Sequence, residues 1–358
     1  MRCRESMHPL GPLEHTGMKV TVLEGVDAAV EQFVRTMSEA KLCHTWAWGA
    51  MVERVFGHRC LFLVAREHRM IRGVLPLVEV RSWLFGNRVI SQAFSNYGGP
   101  IADDPRAVEA LYDRAVELAI ESGCEAIEFR NTAPLACDLP SRSEKVCMHL
   151  RLAADPDKVW HGLSKGIRKL VRRAEKAQVV VEGGGEELLD EFYRTWTMRM
   201  HQLGTPSYSR ELFSAILETF PGKARIFVAR LGRQTVAAKF TYRFNGLVQS
   251  RWGATLLDCQ KTYANHLLFW EVIKHSCLTG ASCFDFGRST IGSGPYHFKM
   301  HWKPQTVNLC YQYWVRPGQE LSTVSPDNAR YRWKVALWKR LPLGATRLIG
   351  PFISRSLP

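Results

Sequence analysis

Two stretches of the chain run through the same succession of apolar patterns. In the first, Trp46, Trp48, Val52, Val55 and Phe56 recur at helical spacing across 45–56. A strand pattern follows in Cys60-Leu-Phe-Leu-Val-Ala-Arg66, with a turn at 67–70, a second strand over 71–80 and a third over 88–92. Asn96-Tyr-Gly-Gly-Pro100 reads as a loop. Val108, Leu111, Tyr112, Ala115, Leu118 and Ala119 then share one helical face over 105–122, which Gly123 stops. Residues 125–130 read as the next strand.

The second stretch repeats that order. Arg225-Ile-Phe-Val-Ala-Arg230 echoes Leu61-Phe-Leu-Val-Ala-Arg66, a turn follows at 231–234, and strands are predicted over 235–244 and 247–255. A helix over 263–278 ends before Gly280, and 283–287 occupies the place of 126–130. A shared order of elements is better evidence of duplication than short echoes, and it predicts an α/β fold with a mixed sheet. Met18-Lys-Val-Thr-Val-Leu23 opens the first strand, after a polar segment, 1–17, read as a flexible tail or an upstream start. Residues 186–203 read as a helix ended by Gly204. Gly183–Gly185 reads as a turn, since the Lys-Ser/Thr of a phosphate-binding P-loop is absent.

Between the halves, Leu163, Ile167, Leu170, Val171 and Ala174 form one helical stripe, and six Lys/Arg against one Glu cover the rest of 160–176. Such a helix either binds phosphate or turns a solvated face to water. The last 43 residues carry eight Lys/Arg and two acids. There, 331–342 interleaves tryptophans with cations, and 343–353 is apolar but broken by Gly and Pro. This extension either lies on an anionic membrane surface or caps the core with Trp333 and Trp338 buried.

With 358 residues, 46% hydrophobic and 23% charged, the chain reads as a folded protein of about two domains, not a disordered one. A formal charge of +14 attracts anions such as RNA, CoA phosphates, nucleotide sugars or acidic lipids, without choosing among them. Ten cysteines occur without a CxxC pair, which excludes a zinc framework and points to reduced thiols in the cytoplasm. No apolar run is long enough to span a bilayer, and no metal site is expected.

The chemistry concentrates in 284–303. Phe284, Asp285 and Phe286 read as a buried strand end that delivers a carboxylate. Gly287, Gly292, Gly294 and Pro295 force an irregular loop, and Tyr296, His297, Lys299, His301 and Lys303 follow it. On residue types alone this is equally a structural turn with solvated charges.

The pattern Phe284-Asp-Phe-Gly-Arg-Ser289, a glycine loop, then Tyr296-His-Phe-Lys299 resembles the C-terminal signature of the FemAB family, which includes peptidoglycan-bridge aminoacyltransferases and GNAT-like acyltransferases. It is most similar to the FemAB-related proteins associated with exosortase/PEP-CTERM and exopolysaccharide gene sets. Leu203-Gly-Thr-Pro206 with Tyr208, and the spaced arginines of 160–176, resemble further segments of that family. The resemblance covers about residues 19–315 and implies tandem GNAT-like domains with mixed sheets. The expected organisation is an N-terminal domain over 18–150, a donor-binding catalytic domain over 151–315 and a basic extension over 316–358.

The resemblance further implies an acyltransferase or aminoacyltransferase acting on a cell-envelope or exopolysaccharide precursor. Its donor is acyl-CoA or aminoacyl-tRNA as co-substrate, with no tightly bound cofactor. Lys299 matches the family lysine that supports the donor and offsets developing negative charge. Asp285 either orients the amine or pairs with Arg288, the pairing being favoured, and Tyr296, His297 and His301 are candidate proton handlers. Arg172, Arg199, Arg251 and Arg288 are candidates for donor phosphate, Asn265 is a helix cap or a donor contact, and Tyr97 and Tyr208 border the acceptor cleft. The first domain is expected to shape the acceptor site and the second to hold the donor. Asp258-Cys-Gln-Lys-Thr262 lacks the Arg/Gln-x-x-Gly-x-Gly/Ala loop of acetyl-CoA users, which leaves the donor open. The expected location is cytoplasmic, with peripheral contact at the inner face of the membrane through 330–358. The competing readings are a non-catalytic RNA-binding protein and a membrane-surface scaffold of a polysaccharide assembly system.

Overall fold

The computed structural model describes residues 17–82, 86–135, 139–319 and 329–357, without the side chains of 329–332 and 334. The tail expected over 1–17 falls almost wholly outside the described residues.

The first repeat runs β1 (Met18–Leu23), α1 (Ala28–Thr36), α2 (Trp46–Phe56), β2 (Arg59–Glu67), β3 (Met70–Ser82), β4 (Gly86–Ser91), β5 (Ile101–Ala102), α3 (Pro105–Glu121), β6 (Ala126–Asn131) and β7 (Ser141–Arg151). Helices α4 (Pro156–Gly162) and α5 (Lys165–Lys176) connect it to the second. That repeat runs β8 (Val179–Gly184), α6 (Leu189–Leu203), α7 (Arg210–Thr219), β9 (Ala224–Leu231), β10 (Gln234–Phe244), β11 (Leu247–Thr255), α8 (Ala264–Leu278), β12 (Cys283–Asp285), β13 (Ser289–Thr290), α9 (Gly294–Met300) and β14 (Gln305–Val315). Helices α10 (Ala329–Arg340) and α11 (Leu343–Ser354) close the chain.

Local signals explain many of these boundaries. The Thr45 hydroxyl accepts from Trp48 N to start α2, and Gly57 ends it at φ 69°. Asp104 caps α3 ahead of Pro105, and Ser164 caps α5. Two expectations change. Gly183 and Gly184 belong to β8 and pair with Phe227 and Ile226, where a turn was expected. The loop expected beyond Gly292 becomes α9, because Ser293 caps it and Pro295 suits a first helical turn.

All strands join one sheet in the order β1-β2-β3-β4-β6-β14-β7-β12-β11-β10-β9-β8, with β5 on β3 and β13 on β7. Among the described residues, every pairing is antiparallel except β4 with β6 and β11 with β12. The two repeats exchange their last strands. β14 pairs with β6 of the first repeat, and β7 pairs with β12 of the second. The boundaries expected at 150/151 and 315/316 therefore separate chain segments but not sheet halves.

Packing joins the repeats as well. One core draws Val30, Trp48 and Phe56 from α1 and α2 together with Phe192, Phe213 and Ile216 from α6 and α7. On the opposite face α3 covers the first half and α5 with α8 the second. The stripe expected on the basic helix is the buried side of α5, with Ile167, Val171 and Ala174 in that core.

Candidate active site at the strand exchange

The strand exchange decides which groups meet. β12 pairs with β7 so that Asp285 lies directly opposite His149, and on its other side Asp285 is in register with Gln249 of β11. One repeat supplies the carboxylate, and the other supplies the histidine beside it. Tyr97, from the loop after β4, completes the group. Its hydroxyl donates to Asp285 Oδ2 at 2.8 Å and lies 3.1 Å from His149 Nε2. Asp285 is fully buried and also accepts from Gly287 N at 2.8 Å and Gln249 Nε2 at 3.4 Å.

With the Tyr97 proton on Asp285, His149 Nε2–H is the donor to the Tyr97 oxygen, which leaves Nδ1 as the basic nitrogen. Burial lowers the His149 pKa while Asp285 acts against it, and burial raises that of Tyr97 well above its usual value. At neutral pH the cluster thus combines a neutral imidazole with a protonated phenol.

Lys299 reaches back from α9 to the same strand end. Its ammonium donates to Gly287 O at 2.8 Å and Arg288 O at 3.1 Å, which leaves one N–H. Burial pushes its pKa down to about 8, against the pull of Asp285 and Cys147. Lys239 on β10 is a second buried amine, 3.3 Å from the centre of the Phe269 ring. Burial and the charge of Lys299 lower it well below the usual lysine range. Tyr242 and Arg251 adjoin the group, and both the Tyr242 hydroxyl and Arg251 Nε are buried without a hydrogen-bond partner.

A cavity of about 870 Å³ opens over Tyr97 and His149. Its walls come mainly from the first repeat: the 97–105 loop, the start of α3, the end of β6, and Lys41 and His44 ahead of α2, with Val307 of β14 from the second. Five carboxylates line it, Glu39, Asp103, Asp104, Glu109 and Asp113, on a chain whose formal charge is +14. Gly98 fixes the loop that carries Tyr97. At φ 152°, a Cβ there would lie 2.3 Å from Gln92 Cβ and 2.5 Å from the Ser91 carbonyl oxygen. Gly98→Ala is expected to cost roughly 2–4 kcal/mol of stability. A urea melt measures it, and a loss below about 0.5 kcal/mol would show that the loop gives way freely.

A second basic region lies at the start of α8. Tyr263 takes the N-cap position in the left-handed region, with no side-chain cap. α5 packs against α8, and Arg173 lies 5.7 Å from the Tyr263 ring centre with its guanidinium 3.4 Å from the hydroxyl. Ala264 N donates to Thr262 Oγ1 at 3.3 Å, and the cationic face beside this helix start suits a phosphate group.

Parallel pairing occurs at one place in each half, with a helix crossing between β4 and β6 and between β11 and β12. Residues 157–300 match the family described as an acetyltransferase (GNAT) domain. The two repeats together form a tandem GNAT-like fold. FemX, at 13% identity, covers 82% of this chain and 97% of its own with a TM-score of 0.64. The C-terminal DUF2156 domain of an Agrobacterium fabrum protein named as a lysylphosphatidylglycerol synthetase, also 13% identical, covers 80% and 90% with a TM-score of 0.54. A conserved protein of unknown function from Bacteroides thetaiotaomicron VPI-5482, 8% identical, covers 80% and 95% with a TM-score of 0.58. At these identities the likeness concerns the fold. No curated protein matches the chain.

Several sequence expectations land elsewhere. Asp285 does not pair with Arg288; the Arg288 guanidinium turns to Tyr311 OH at 3.3 Å. Tyr296 packs against the GNAT-domain core, and His297 and His301 are exposed, so the histidine at Asp285 is His149. Asn265 sits one residue inside α8 and does not cap it. Arg251 bonds Asn96 of the first repeat. Arg172 lies 5.7 Å from the Trp160 ring centre on the exposed side of α5. Arg199 donates to Gln202 on its own helix. Tyr208 packs edge-on against Phe94 and Trp252, and its hydroxyl donates to Leu357 O at 3.4 Å, away from the cavity lining. Trp333 is 62% exposed, where a cap would bury it.

Sequence reasoning passed over His149, Lys41, Gln249 and Lys239, and took Arg173 only as one of the six cations of the basic helix. Only His149 had a local signal: Val146, Met148 and Leu150 alternate around it in 141–151.

Proposed function

We propose that the chain is an acyltransferase that moves an acyl or aminoacyl group to an amine of a cell-envelope or exopolysaccharide precursor. The observation that carries this reading is the buried Tyr97–Asp285–His149 cluster with Lys299 at the same strand end, assembled from both repeats. In the reaction the amine nitrogen attacks the donor carbonyl and the new C–N bond forms. The C–S bond of a thioester, or the C–O bond of a tRNA ester, breaks. The amine proton passes to His149 Nδ1, and the resulting imidazolium gives a proton to the leaving thiolate or alkoxide, which restores neutral His149. Lys299 is the cation that meets the oxyanion in between. The carboxylate-lined cavity of the first repeat suits a positively charged acceptor amine, and the second repeat holds the donor with its phosphates at Arg173 and the start of α8. The donor is a co-substrate, acyl-CoA or aminoacyl-tRNA. An envelope or polysaccharide precursor as acceptor is supported by the FemAB-like motif and by the fold shared with FemX.

The test is mass spectrometry of small molecules that bind or stabilise the protein, across acyl-CoAs, charged tRNA and nucleotide sugars. Stabilisation by one donor class is expected, and stabilisation by none of them would count against the reading.

The pH dependence follows from two shifted groups. His149 must be neutral, and burial lowers its pKa below 6.5, so kcat/KM is expected to rise from acid pH and level off before neutrality. Lys299 must be charged, so kcat/KM falls as pH rises through about 8. A pH–rate profile of Lys299→Arg should lose that alkaline limb; retention of the limb would assign it to another group.

A further inference from the structure

The C-terminal hairpin of α10 and α11 has its amphipathic character reversed. On α11, Thr346, Gly350 and Ser354 recur every fourth residue and are buried against the protein. Leu348, Ile349 and Phe352 point away from it and are 72%, 42% and 67% exposed. A helix that merely caps a core does the opposite, with its large apolar residues inside. The inner side is small because the approach is close. A Cβ on Gly350 would sit 3.1 Å from Ser207 N and Oγ. On α10, Trp333 and Leu337, one turn apart, are 62% and 54% exposed.

The hairpin is held firmly while presenting this surface. Both helices pack on α6. His201 Nε2 lies 2.8 Å from Leu341 O, His58 Nε2 lies 2.7 Å from Arg355 O, Arg347 Nε donates to Thr197 Oγ1 at 3.0 Å, and Ser354 Oγ donates to Ser207 O at 3.1 Å. Five of the thirteen large apolar side chains exposed among the described residues are gathered on this hairpin. The same segment, 329–357, contains seven Lys/Arg and no Asp/Glu. Among them Lys339, Arg340 and Arg355 are exposed.

We propose that α10 and α11 are a docking surface for an anionic lipid bilayer, with Trp333, Leu337, Leu348, Ile349 and Phe352 entering the headgroup–acyl boundary and the cations meeting lipid phosphates. Five large apolar side chains exposed on one hairpin favour an apolar phase, and seven cations without one acid favour a negative one. No helix among the described residues is long and apolar enough to cross a membrane, so the hairpin lies in the surface plane. This inference does not rest on the acyl-transfer reading, and its readout is binding, not turnover.

The experiment is cosedimentation of the full chain with two kinds of vesicle, phosphatidylcholine alone and phosphatidylcholine with about one third phosphatidylglycerol. Binding to the anionic vesicles is expected, falling at high salt and on neutral vesicles. A Leu348→Ser/Phe352→Ser variant changes only exposed positions and should keep the wild-type circular dichroism. Its partition is expected to fall by about tenfold or more. Three results would overturn the proposal: no sedimentation with anionic vesicles, binding unchanged in the double variant, or a wild-type dimer that the variant converts to monomer. The last would assign the apolar face to a second copy of the chain.

Discussion

Lys299→Met is expected to lower kcat/KM by about 10²–10³-fold, the usual effect of removing one fixed donor from an oxyanion site. The fold should survive. Burial lowers the Lys299 pKa to about 8, below the ordinary lysine value, so the charged form costs stability at neutral pH. That cost lessens as pH rises from about 8 toward 10.5, where the unfolded chain binds more protons than the folded one. The Met variant therefore keeps or raises its melting temperature at pH 7 while activity collapses. What it loses are two bonds to the Gly287 and Arg288 carbonyls. A loss smaller than about tenfold, at unchanged stability, would remove Lys299 from the chemistry. Lys299→Arg separates charge from shape: it keeps the cation but not the fit between the two carbonyls.

Asp285→Ala acts on stability and activity together. The carboxylate is fully buried and accepts from Tyr97 OH, Gly287 N and Gln249 Nε2. Its removal leaves these donors without their acceptor at the meeting of β11, β12 and β7, at an expected cost of about 3–5 kcal/mol. Tyr97→Phe is the finer probe. It removes the hydroxyl between Asp285 and His149, should cost about 1–2 kcal/mol, and should alter the acid limb of the pH–rate profile. Urea melts measure both variants. An Asp285→Ala loss under about 1 kcal/mol would mean that the cluster is not the closed polar network described.

The duplication was legible because each repeat writes its hairpins in local pattern. Strand pairs β2–β3 and β9–β10 are apolar runs around short turns, and the helices α3 and α8 stop at Gly123 and Gly280, both at positive φ. The motif around Asp285 and Lys299 was legible as well. The partner choice of the last strands was not. β7 and β14 alternate apolar and polar residues, but alternation states which face is buried, never which strand lies alongside. The exchange is what places His149 at Asp285, so a site drawn from one segment, with Tyr296, His297 and His301 as proton handlers, chose the nearest histidines in sequence over the one across the sheet. Asp285 and Arg288 failed as a pair for a similar reason. Gly287, at φ 78°, turns the chain between them, and Arg288 faces Tyr311 of the exchanged strand. Tyr208 misled because an aromatic near a proline reads alike whether it lines a cleft or fills a core.

Both repeats are needed for one site, which is why the carboxylate of the first half, Glu128, plays a different part from that of the second. It holds the place in β6 that Asp285 holds in β12, yet it is closed by Arg130 at 2.7 Å. Of these two strand ends, that of β12 has its carboxylate bonded by Tyr97, with His149 beside it and Lys299 on the Gly287 and Arg288 carbonyls.

The most direct measurement is mass spectrometry of a lysine-containing peptide after incubation with the protein and, in turn, a panel of acyl-CoAs and charged tRNAs. The account predicts that one donor class adds its acyl mass to an amine of the peptide, and that Lys299→Met abolishes the addition. A folded protein that transfers from no donor class, or a Lys299→Met variant that transfers as fast as the wild type, would contradict it.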